Sequence, residues 1–432
     1  MRTTIKKAII FSLMLIGVSL YAQNKRDLDN WRAPDQRGIN VFEAPKDTVS
    51  TFERVKVRVG GASTLQFQAL SHENGVPQDL IDDGTVMELK SIGSNFNLAT
   101  ANLDLDVALA KGVRMHLRTY LSSRHHPEPY VKGGYFQIDN LDFISEGLLN
   151  DLMKYTTLKV GHMENNYGDA HFRRTDNAQA IYNPFVGNLI MDSFTTEVGA
   201  ELYYQRNGFL GMVGFTNGKL NQSVAEGSNE KTGGASFIAK LGYDNQLTED
   251  LRLRLTGSIY TTGYVPNNYL YTADRAGSRY YFVMEDVDAT AKSPFRSGRF
   301  DPGFRNRITA VMFNPFVKYN GLEFFGTIEL ANGRASTEME NRSTTQLAGE
   351  VIYRFGQAEN FYLGGRYNTV SSEQSFGDVD INRFQFSAGY FLTKNILAKL
   401  EYVNQTYDGY PEANILYDGK FNGLMVEAVI SF

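Results

Sequence analysis

Two runs of alternating cations could do chemistry in this chain: Arg114-x-His116-x-Arg118 and Arg252-x-Arg254. Every second side chain of an extended segment points to the same side, so each run forms a rung of positive charge on one face. Stacked guanidinium groups offer paired N–H donors to a phosphate or carboxylate, and the same groups could instead pair with Asp104, Asp106 or an acidic loop. Catalysis has little to work with. The six histidines, His72, His116, His125, His126, His162 and His171, fall in no nucleophile or zinc-ligand pattern, and the absence of cysteine removes thiolate sites. No metal, no cofactor and no enzyme activity are expected, with a Ser/His/acid barrel hydrolase as the rival reading.

The elements that carry these rungs alternate with period two. In 251–261, Leu251, Leu253, Leu255 and Ile259 oppose Arg252, Arg254, Thr256 and Ser258; in 382–392, Phe384, Phe386, Ala388 and Tyr390 oppose Arg383, Gln385 and Ser387. The same pattern recurs at 54–70, 94–109, 112–123, 131–139, 155–164, 193–206, 208–217, 233–245, 307–319, 322–333, 344–355, 359–371, 395–406 and 419–432, which predicts sixteen strands. Short links carry turn chemistry, including Asn207-Gly208 and Asn320-Gly321, and long links fall at 71–93, 165–192, 218–232, 262–306, 334–343, 372–381 and 407–418. The link 140–153 has apolar residues at helical spacing and predicts a short helix.

Alternating short and long links describe an all-β, transmembrane, antiparallel up-and-down β-barrel with short periplasmic turns and long extracellular loops. Composition agrees: 25 Tyr, 29 Phe and 40 Gly against one Trp and 11 Pro favour strands joined by glycine turns. The negative mean hydropathy of −0.32 suits strands that show lipid only every second residue. The ends fit export. Arg2, Lys6 and Lys7 precede an apolar run closed by Ala22, the layout of a signal peptide over 1–22. Residues 23–53 do not alternate and form a periplasmic N-terminal arm, leaving 54–432 as the barrel in the outer membrane of a Gram-negative-type bacterium. The chain ends on Phe432 inside a strand, which resembles the terminal assembly signal of outer-membrane barrels and implies a meeting with the barrel assembly machinery. Phe432 should face lipid beside the first strand near Val55. The formal charge of −5, three units lower without the signal, gives no support for a nucleic-acid partner.

A barrel of this size leaves an aqueous channel, and ions sense the charges on its wall. The polar phase of the strands places Arg114, His116, Arg118, Arg252, Arg254, Arg366, Arg383, Lys240 and Lys399, with Asp104, Asp106, Glu197 and Glu201, on the lumen, and basic groups are in excess. The loop 165–192, with Asp169, His171, Arg173, Arg174 and Asp176, is placed to fold inward as a constriction. Around it the chain resembles the phosphate-selective porins of the O/P type. The fifth strand Leu158-Lys159-Val160-Gly161-His162-Met163 leads to Tyr167-Gly168, and Thr196-Glu197-Val198-Gly199-Ala200-Glu201-Leu202 follows the loop. That family often has Pro before the aromatic, where this chain has Asn165-Asn166. The resemblance implies a homotrimeric channel for small hydrophilic, anionic solutes. A gated, solute-specific uptake barrel is the second alternative.

Overall fold

In the computed structural model the described residues are 27–47, 49–122, 130–175, 179–218, 226, 234–263, 265–272, 281–290 and 297–432. The expected signal peptide, His125, His126 and Asp176 lie outside them. Sixteen strands form one closed antiparallel barrel: β1 Lys56–Glu73, β2 Asn95–Ala110, β3 Val113–Ser122, β4 Tyr130–Ile138, β5 Thr156–Glu164, β6 Thr196–Arg206, β7 Phe209–Thr216, β8 Ser236–Gln246, β9 Leu251–Thr262, β10 Arg307–Tyr319, β11 Leu322–Arg334, β12 Arg342–Phe355, β13 Phe361–Gln374, β14 Gly377–Thr393, β15 Ile396–Asp408 and β16 Lys420–Ser431. Each strand pairs with its sequence neighbours, and β1 pairs with β16.

Alternation explains which way each strand faces. Phe384 and Phe386 on β14 are 40% and 56% exposed, while Gln385 between them is fully buried. This is the inverse of a soluble domain: large apolar side chains cover the outside and polar ones fill the inside. The turns follow the local chemistry. Asn207 and Gly208 take φ of 52° and 84°, the left-handed pair that matches the twist of a two-residue hairpin.

Three details differ from the sequence expectation. Phe432 closes the barrel opposite Gly61, not Val55, exchanging two main-chain hydrogen bonds of 3.0 Å with it. The stagger of a tilted barrel leaves residues 56–61 of β1 paired to β2 alone within the strand ladder. The segment 372–381 is strand to its tip, with Gln374 opposite Gly377, because Val379 and Ile381 keep the inward phase while Asp378 and Asp380 point out. The helix expected in 140–153 is reduced to α2, Asn150–Met153; a five-residue α1, Gln78–Asp82, follows β1.

The interior is filled from both ends. From the long-loop end, the β5–β6 loop and the β9–β10 loop bring Val186, Ile190, Met191, Tyr271, Tyr281 and Phe300 against inward Ile308, Met312, Val370, Ile381 and Phe421 of the wall. From the short-turn end, the arm before β1 enters the mouth. Its Gln36 amide donates to the Lys394 carbonyl at 2.9 Å, and Phe42 packs on Phe316 and Phe172.

Candidate functional site

The candidate site is this filled lumen, and it is built from charge pairs that strand register brings together. Asp104 and Asp106 of β2 stand opposite Arg118 and His116 of β3. Arg118 donates two bonds of 2.7 Å to Asp104, and Asp106 meets His116 Nδ1 at 2.8 Å and Arg114 at 3.4 Å. Arg114 also donates to Gln137 at 2.7 Å and to the Asn30 carbonyl of the arm at 3.3 Å. The first rung is thus neutralised by the two carboxylates that the sequence offers it.

The second rung is tied to the loop and the arm. Arg254 grips Asp169 through Nε and Nη2 at 2.7 and 2.8 Å and reaches Glu43 at 2.8 Å, while Arg252 holds Asp244 at 2.8 Å through two nitrogens. Lys240 donates to the Gly168 carbonyl at 2.6 Å and to Asp169 at 3.0 Å, and Thr256 donates to Asp169 at 2.7 Å. Two cations therefore face two carboxylates, all four nearly fully buried, an arrangement that breaks badly when one member is lost. Burial alone would raise both carboxyls. The Arg254 and Lys240 charges override it, holding Glu43 at about 2 and Asp169 well below the ordinary range.

The loop after β5 is fastened to the opposite wall through its backbone. Lys399 donates to the carbonyls of Ala180, Asn183 and Phe185 at 2.9–3.0 Å and pairs with Glu427 at 2.8 Å. Arg366 binds Glu350 at 2.7 Å and the Gly187 carbonyl at 2.9 Å; Arg383 donates to the Asn188 carbonyl at 2.7 Å and to Gly298 of the β9–β10 loop. Glu201 accepts from the Asn166 amide at 2.8 Å, and Glu197 from Tyr260 at 2.8 Å and from Thr216.

Within the loop, His171 meets Glu164 at 2.5 Å, and Arg173 reaches Asn40 at 2.6 Å and Glu350 at 3.3 Å. Arg174 pairs with Asp192 through bonds of 2.9 and 2.7 Å. Among the described residues, then, the predicted wall and loop groups meet, but as partners in a packed interior rather than as an open row of charges. Sequence reasoning missed Asn40, Glu43 and Lys46 of the arm. Lys46 donates to the Thr156 carbonyl and to Asp139 at 2.6 and 2.9 Å. It also missed Tyr271 and Tyr281, which donate to Glu329 and Glu401 at 2.7 and 2.5 Å. The length and aromatic content of 262–306 were a signal for the second pair; the arm offered none.

One space is left. Between β1–β5 on one side and the arm and loop on the other lies a cavity of about 180 Å³. Trp31, Arg32 and Phe42 of the arm, Arg58, Arg118, Lys132, Tyr135 and Lys159 of the strands, and Phe172, Gln179 and Tyr182 of the loop line it.

No family model and no curated protein matches the chain. Solved structures do. An anion-selective porin from Comamonas acidovorans aligns at 10% identity over 88% of this chain and 100% of its own, with a TM-score of 0.52. The outer membrane channel DcaP of Acinetobacter baumannii aligns at 12% identity over 88% and 98%, with a TM-score of 0.51. In-vitro folded OmpT of Vibrio cholerae, in a trimer form, aligns at 10% identity over 88% and 100%, with a TM-score of 0.52. At such identities the shared property is architecture, and the chain has the sixteen-stranded closed barrel of outer-membrane porins.

Proposed function

We propose that the protein is an outer-membrane channel through which small hydrophilic solutes diffuse, with a weak preference for anions and with the loop 165–192 as its constriction. The observation that carries this reading is the loop itself, which leaves the rim after β5 and hydrogen-bonds to Arg366, Lys399 and Glu401 on the far wall. A segment that crosses the lumen sets the bore. The basic excess on the wall supports anion preference, although Asp104, Asp106 and Asp169 balance much of it. With the arm and two loops packed into its interior, the pore is narrower than an open barrel of sixteen strands.

Export by a signal peptide over 1–22, a periplasmic position for the arm, delivery by the barrel assembly machinery and assembly as a homotrimer belong to the same proposal. Phosphate selectivity of the O/P type has weaker support, because the arginine rungs are already bonded to carboxylates. Purified protein in planar bilayers should give small, stepwise, ohmic conductance. Protein that never raises conductance overturns the reading.

A gated uptake barrel is the second reading, favoured by the arm that sits in the short-turn mouth with Glu43 between Lys240 and Arg254. Conductance that appears only when the arm is cut away would select it. A hydrolase reading is not proposed: His72, His116, His162 and His171 bond to main-chain atoms, carboxylates, Asn166 or Thr196, and none of these contacts includes a serine.

A further inference from the structure

We infer that the cavity against β1–β5 is a binding station for a carboxylate solute that carries a planar ring. The proposal rests on the channel reading for the route by which the solute arrives, and on the cavity alone for binding.

The charge of the lining decides the sign of the ligand. Its carboxylates are engaged: Asp104 by Arg118, Asp106 by Arg114 and His116, and Glu164 by His171 and Gln179 at 2.5 and 2.8 Å. Two of the lining cations meet neutral acceptors. Arg32 donates to the carbonyls of Gly38 and Phe172 at 3.0 and 3.1 Å, and Lys159 reaches the Tyr203 hydroxyl at 3.5 Å; neither forms an ion pair among the described residues. Carbonyls and a phenol satisfy donors without cancelling charge, so an anion is the complement. The cavity is accessible, since Arg58 and Arg118 each keep 14% of their side chains exposed.

The rings decide the shape. Arg58 lies 4.4 Å from the Trp31 ring, Arg32 lies 3.6 Å from Tyr182, and Lys159 lies 4.9 Å from Tyr203 and 5.7 Å from Tyr135. A flat apolar group can pack against the edges and uncovered faces of such rings while its carboxylate meets the cation that lies over them. Size agrees. A cavity of about 150 Å³ admits benzene, and 180 Å³ holds one ring with a carboxylate. A lone inorganic anion would use the charge and leave the rings idle.

Trp31 is the sole tryptophan of the chain and lines the cavity, so its fluorescence reports occupancy directly. Detergent-solubilised full chain should be titrated with benzoate, acetate and benzylamine at constant ionic strength. Benzoate should give a saturable change, acetate should need at least tenfold more, and benzylamine should not saturate. Lys159→Gln and, on the arm, Arg32→Gln should each raise the benzoate midpoint tenfold or more, with circular dichroism confirming an intact barrel. No saturable benzoate response, equal saturation by benzylamine, or unchanged midpoints in both folded variants would overturn the proposal. Protein that binds benzoate but never conducts would keep the station and remove the channel.

Discussion

Asp169 is the residue on which the inner charge cluster turns, since it is fully buried and accepts from Arg254, Lys240 and Thr256 at once. Asp169→Asn keeps the shape and removes the charge, leaving Arg254 and Lys240 with Glu43 as the nearer balance. Breaking a buried pair from one side costs about 3–5 kcal/mol, and urea unfolding in detergent should show a lowered midpoint. An unchanged midpoint would mean that water enters this part of the lumen. Glu43 gives the pH dependence. Its carboxyl is lowered from 4.5 to about 2, so its stabilisation is fully present above pH 4.5 and is lost as pH falls through 2. The arm should therefore be released in acid, seen as protease access to residues 27–53, and Glu43→Gln should show that access already at neutral pH.

The elements were legible wherever one face meets lipid and the other meets polar atoms, because that contrast writes period two into the sequence. β9 and β10 begin where the alternation predicts, at Leu251 and Arg307. The tip between β13 and β14 was not legible, since Asp378 and Asp380 look like loop residues although they only mark the outward phase beyond the membrane. Nor was the arm. Its contacts with Lys240, Glu323 and Arg254 span some two hundred residues or more, and no local pattern encodes them.

The β9–β10 loop carries its own test. Burial raises the Glu285 carboxyl to about 7, against the bond that Ser297 donates to it at 2.6 Å. A raised acid stabilises the packed loop fully below pH 4.5 and loses that contribution as pH rises through 7. Protection factors in 281–290, taken against the intrinsic exchange rate at each pH, should fall between about pH 5 and 7 and level off above, and Glu285→Gln should remove that fall. The loop after β5 is tested by removing residues 170–188, which should raise single-channel conductance; an unchanged value would put the conducting path elsewhere.

For the whole molecule, the question is whether the wall or its fillings set ion preference. Arg114, Arg118, Arg252 and Arg254 each bond to a carboxylate, so the field along the path is the sum of pairs rather than of bare cations. Replacing all four with serine uncovers Asp104, Asp106, Asp169 and Asp244 and removes four positive charges from the lumen. The reversal potential in a salt gradient should then move towards cation selectivity, by more than Arg118→Ser alone produces. The arm must be kept in this experiment. Cutting it away also removes Arg32 and Glu43 and opens the mouth near Lys394, so conductance would rise for geometric reasons that mask the change in charge. If the reversal potential stays put in the four-fold variant with the arm in place, ions do not pass these rungs. Selectivity would then belong to the part of the lumen packed by Tyr271, Tyr281 and the loop after β9.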